Sequence, residues 1–117
     1  MSPTARSLAQ LRKYGWTPAV VEKFNPGARV RQDLFGFLDV VCLRQGVPGL
    51  LGIQVTTTGH MADRFTKMTS DAVIDRVRLW LDAGNQVEIH GWAKRGPRGK
   101  RKTWTLTRRV VTLGDLA

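Results

Sequence analysis

The sequence predicts an α/β protein of the α+β kind, with helices packed against one sheet. Apolar residues recur at helical spacing near the N-terminus and again around residues 71–83, while glycine-punctuated, β-branched runs lie between and after them. A length of 117 residues at 42% hydrophobic content suffices for one core, so residues 1–117 read as a single domain.

From Pro3 to about Tyr14, Leu8 and Leu11 stand three apart and Gly15 follows, which predicts a short helix with a glycine stop. Thr17-Pro18 offers an N-cap and a proline at the first helical position, and Val20, Val21 and Phe24 form an apolar stripe before Asn25-Pro26-Gly27. A second short helix carrying Glu22 is therefore expected. The pattern then turns β-rich over residues 28–34, 37–44 and 50–57, separated by Gly36 and by Gln45-Gly46-Val47-Pro48-Gly49, as in a three-stranded antiparallel meander. Val73, Ile74, Val77, Leu79, Trp80 and Leu81 predict the longest helix over residues 71–83, covering the sheet. Residues 86–94 and 103–112 read as strands joined by a basic loop containing Gly96, Pro97 and Gly99.

No run approaches the ~20 apolar residues of a membrane span, so no membrane partner is expected. The one cysteine, Cys42, lies in an apolar run where packing accounts for it; a reducing, cytoplasmic location fits that usage. Charge says more. Nineteen Lys plus Arg against nine Asp plus Glu leave +10, and no acid occurs between Glu88 and Asp115. That window holds Lys94, Arg95, Arg98, Lys100, Arg101, Lys102, Arg108 and Arg109, which points to a polyanion such as nucleic acid; a loop that only aids solubility is the plainer alternative. Trp92 and Trp104 flank the window and suit either core packing or stacking on bases.

Three polar residues stand where an apolar sheet has no structural use for them: Glu22, Asp39 and Gln54. Asp39 interrupts Phe37-Leu38-Asp39-Val40-Val41, and a carboxylate buried there needs a cation or a strong hydrogen-bond network. Gln54 and Thr56 alternate onto one strand face, toward Asp39.

Gly36-Phe37-Leu38-Asp39, followed after a hairpin by Gly52-Ile53-Gln54-Val55-Thr56, resembles the PD-(D/E)xK nuclease superfamily, and within it the small Holliday-junction-resolvase-like and VRR-NUC nucleases. The resemblance spans about residues 22–67 and rests on a short, degenerate motif. It implies a restriction-endonuclease-like core, α-β-β-β-α-β, with a central mixed sheet flanked by helices. It also implies a Mg²⁺- (or Mn²⁺-) dependent endonuclease acting on DNA, branched structures included and RNA not excluded, with a homodimer by analogy alone. By position, Asp39 matches the central metal-binding aspartate, Gln54 the acidic residue of (D/E)xK, Thr56 its lysine and Glu22 the helix glutamate, while the Val55 carbonyl faces the metal.

Two departures bear on activity. Gln54 removes a negative charge from a hard-cation site, and Thr56 cannot supply the lysine's charge. Lys67, on the helix expected after Gly59-His60, is the candidate replacement, and Arg64 one turn earlier is the candidate grip on the scissile phosphate; both read equally as surface cations. The alternative is a catalytically impaired nuclease-fold protein that binds nucleic acid without cutting it; a protein docking on an acidic partner is a third reading. Asp33 reads as a supporting carboxylate, or as one paired with Arg31 or solvated. His60 is a candidate phosphate contact. His90 is expected to face solvent or a hydrogen-bond partner, and no zinc set is present.

Overall fold

Helix α1 (Pro3–Lys13) forms where the sequence predicts it: Ser2 caps it through Oγ, accepting from the Ala5 N–H at 3.1 Å, and Arg12 and Lys13 occupy the last turn. The computed structural model, which describes residues 1–117, continues with β1 (Thr17–Val20), β2 (Lys23–Asn25), β3 (Val30–Gln32), β4 (Val40–Leu43), β5 (Leu51–Thr57), α2 (Met61–Met68), α3 (Ile74–Asp82), β6 (Gln86–Arg95) and β7 (Thr103–Val111). Five strands make one sheet in the order β1-β4-β5-β6-β7. Only β5 and β6 pair in parallel, so the sheet is mixed. Helices cover both faces.

Three expectations are corrected. The second helix does not form: its residues become β1 and β2, and Glu22 lies in the loop between them. Seven residues are too few to repay helix nucleation, and Val20 and Val21 favour extended backbone. Pro18 is tolerated because β1 is an edge strand. The meander loses its first member, since β3 pairs with β2 in a separate hairpin and β1 takes the place beside β4. The helix over residues 71–83 is shorter than expected, nine residues in α3 against eleven in α1, because residues 71–73 form a turn before it.

Strand alternation divides the interior into two cores. Leu11 of α1 meets Val40, Cys42, Leu51, Ile53, Val55 and Trp92 on one face; Val77 and Trp80 of α3 meet Phe37, Leu38, Val87, Ile89 and Val111 on the other. Gly52 permits this second packing, since a Cβ there would meet Leu38 and stand 3.0 Å from the Trp80 ring. Cys42 is buried as expected, and burial, aided by the Glu88 charge, pushes its thiol up to about 12, leaving it inert. No helix is long and apolar enough to cross a membrane.

Candidate metal centre

Asp39 immediately precedes β4 and faces the α2 and α3 side of the sheet together with Gln54 and Thr56 of β5. All three are buried, with Asp39 at 4% exposure. Asp39 Oδ2 accepts two hydrogen bonds, from Gln54 Nε2 at 2.8 Å and from the Val55 N–H at 2.8 Å. The other end of the Gln54 amide, Oε1, is buried without a partner. Because the N–H and C=O of one strand residue point to the same side, the Val55 carbonyl is also turned toward Asp39.

Two further carboxylates come from outside the sheet. The N–H groups of Val21 and Glu22 both donate to the Asp39 carbonyl, at 2.9 and 3.2 Å, which fixes the β1–β2 loop against Asp39. Asp33 follows β3, and a tight turn closed by the Leu34–Leu38 bridge, with Phe35 and Gly36 at positive φ, folds it back beside Asp39. Oxygens of Glu22, Asp33 and Asp39 then all lie within 4.8 Å of one another. Burial first, then the hydrogen bond with Asp33 and the repulsion of Asp33 and Glu22, push Asp39 up to about 8, against the Val55 N–H that lowers it.

Cations ring this cluster. Arg31 Nη1 lies 3.2 Å from Glu22, and Lys67 Nζ lies 3.4 Å from Asp33. The carboxylates open into a cleft of about 750 Å³ that brings together Glu22, Asp39, Gln54, Val55, Thr56, Arg64 and Lys67. Arg64 makes no ion pair, and its Nε is buried without an acceptor. Thr56 contributes a hydroxyl and no charge. Lys94, Arg95, Arg98, Lys100, Arg101 and Lys102 stay outside the cleft, at the end of the β6–β7 hairpin.

The sequence places Asp33 in a supporting role; the structure makes it a full member of the cluster, and its partner is Lys67 rather than Arg31. The signal in the sequence is its distance of six residues from Asp39 across a turn at Gly36. His60 lines the cleft and pairs with Asp63 at 3.3 Å. His90 faces a partner, not solvent: it is buried, with Nδ1 2.9 Å from Ser7 Oγ. Ser7 Oγ also accepts from Trp92 Nε1 at 2.8 Å, and His90 Nε2 lies 3.8 Å from Glu88 Oε1. Arg108 completes this second network by donating Nε to Glu88.

The donors of the first cluster are oxygens alone, three of them ionisable, which suits a hard divalent cation such as Mg²⁺, Mn²⁺ or Ca²⁺. The orphaned Gln54 Oε1 adds a neutral oxygen on a residue that lines the same cleft. Cys42 and His90 lie on the α1 face, away from it. No family model, curated protein or solved structure matches the chain.

Proposed function

We propose that the chain is a Mg²⁺- or Mn²⁺-dependent endonuclease acting on DNA through a restriction-endonuclease-like site. The observation that carries this reading is the convergence of Glu22, Asp33 and Asp39 from three separate segments in a cleft that also holds an unpartnered Gln54 Oε1 and the cations Arg64 and Lys67.

Glu22, Asp33, Asp39 and Gln54 Oε1 would hold the ion, with the Val55 carbonyl beside them. When bound, the ion supplies a polarised phosphoryl oxygen and an acidified water. The chain supplies the rest. Arg64, with its Nε desolvated and free, takes a non-bridging oxygen of the scissile phosphate. Lys67, anchored by Asp33, brings to the cleft the positive charge that Thr56 lacks and offsets charge developing on the phosphoryl group. The cations from Lys94 to Lys102 bind backbone phosphates beyond the cleft.

The test is cleavage of labelled branched, nicked and linear DNA with Mg²⁺ or Mn²⁺, comparing the native chain with Asp39→Ala. Cutting by the native chain alone supports the reading. The second reading, a nucleic-acid-binding protein with an impaired site, is favoured by the neutral Gln54 and Thr56 side chains; it predicts binding of all three DNAs and cutting of none with either metal.

A further inference from the structure

β1, β5 and β6 run in the same direction, β1 through its antiparallel pairing with β4 and β6 through its parallel pairing with β5. Their C-terminal ends therefore lie at one end of the sheet. The metal cleft opens at that end, lined by residues 54–57 of β5. The β2–β3 hairpin follows β1 there, at one edge of the sheet, and the basic β6–β7 arm leaves β6 there, near the other edge. Trp92 is level with Thr57, so residues 93–95 carry the arm about 10 Å past β5 at ~3.3 Å per residue. Three strand steps, roughly 14 Å at ~4.8 Å per step, separate β1 from β6, so the hairpin and the arm stand on two sides of the cleft mouth.

The β2–β3 hairpin matches the arm in chemistry. Residues 23–32 contain Lys23, Arg29 and Arg31 and no acid. Phe24 and Val30 are 56% and 47% exposed, and neither belongs to a core. Phe24 lies opposite Arg31 in the register, and both line the cleft. An exposed aromatic beside a metal centre, on a cationic hairpin with nothing packed on it, has the composition of a nucleic-acid wedge.

We infer that the β2–β3 hairpin is a second grip on the substrate: a nucleic-acid duplex seats between this hairpin and the β6–β7 arm, with Phe24 against the bases next to the cleft. This rests on the endonuclease reading and adds the double-stranded class of substrate and the residue that touches its bases. Lys23 and Arg29 contact phosphates; Arg31, held by Glu22, orients the hairpin over the cluster.

The experiment is anisotropy titration of a labelled nicked duplex and of the matching single strand over a series of salt concentrations. Ca²⁺ replaces Mg²⁺ so that the strands stay intact. For the duplex, Lys23→Ala with Arg29→Ala should lower the slope of log affinity against log salt by roughly 1.8, at about 0.9 per phosphate contact. Phe24→Ala should weaken duplex binding by roughly five- to a hundredfold, the range for loss of an aromatic–base contact, and Phe24→Trp should restore it. Thermal unfolding of each variant confirms that its fold is kept; all three side chains are exposed, and the Trp variant retains the aromatic if alanine disturbs the hairpin. An unchanged slope in the double variant, or single-strand affinity equal to duplex affinity, overturns the inference while cleavage by the native chain leaves the endonuclease reading standing. Absence of any DNA binding by the native chain overturns both.

Discussion

Asp39 and Glu88 are both buried in the same sheet, at 4% and 5% exposure, on opposite faces, and their surroundings drive them in opposite directions. Burial pushes Glu88 up, but the neighbouring His90 ring and the hydrogen bond and charge of Arg108 more than reverse it and hold the carboxylate at about 2. Asp39 also receives two donors, yet two neighbouring carboxylates add to its desolvation, and it stands near 8. The Glu88 network is closed: Ser7, Trp92, His90 and Arg108 account for its polar groups. The Asp39 cluster is open, with three crowded carboxylates and an amide oxygen to spare. Burial alone therefore does not single out a candidate ligand carboxylate. What sets Asp39 apart is the crowding of like groups that the chain's own donors leave uncompensated.

Exchange of each carboxylate for its amide is the strongest way to break this contrast. Asp39→Asn should abolish metal-dependent cleavage, by more than the ~10–100-fold that loss of a group merely supporting a ligand costs; Glu88→Gln should leave cleavage rates within about twofold. Urea denaturation should reverse the order. Glu88→Gln should cost about 2 kcal/mol, less than the ~3–5 for a fully buried pair because the Arg108 side chain is 58% exposed and can regain water. Asp39→Asn should stabilise the metal-free chain by roughly 1–2 kcal/mol at pH 8, since it relieves repulsion in the cluster. Destabilisation by Asp39→Asn would mean that the cluster is a closed network after all.

The pH dependence sharpens the same point. Asp39 binds its proton more tightly folded than unfolded, so its contribution is present at low pH and falls as pH rises from the ordinary carboxylate range through about 8. Glu88 binds its proton less tightly folded, so its contribution is present above the ordinary glutamate value and is lost as pH falls toward 2. The metal-free chain should therefore lose stability between about pH 5 and pH 8.5. Added Mg²⁺ should recover it at the upper end, where the ion displaces the Asp39 proton. Denaturation midpoints with EDTA and with Mg²⁺ at three pH values measure this.

The smallest effect belongs to the closed network. Ser7→Ala removes the hydroxyl shared by Trp92 and His90 and should cost about 1–2 kcal/mol in urea, with DNA affinity unchanged. A change in cleavage in this variant would couple the two faces.

The strands and helices with strong local signals are legible in the sequence. Ser2-Pro3 starts α1, the glycine-bearing connection of residues 45–49 fixes the β4–β5 hairpin, and alternation along β5 places Gln54 and Thr56 on one face. Asp39 is legible as a site residue because a carboxylate in an apolar strand must be met by a cation or by hydrogen-bond donors. Residues 17–25 are ambiguous because proline after threonine suits both a helix start and an edge strand, and pairing with β4 decides between them. Glu22 therefore reaches the site through a loop held by the Asp39 carbonyl and not on the helix that the local pattern predicts.

The sequence by itself determined the α+β class, the cationic segments and the cost of burying Asp39, because periodicity, composition and desolvation are local properties. Only the tertiary structure decided which carboxylates meet. Asp33 joins the cluster through a turn at positive φ, Lys67 arrives from α2 across the cleft, and Glu88 finds Arg108 on the neighbouring strand. These pairings depend on strand register and on how loops close over the sheet, quantities that the whole fold sets and no single segment contains.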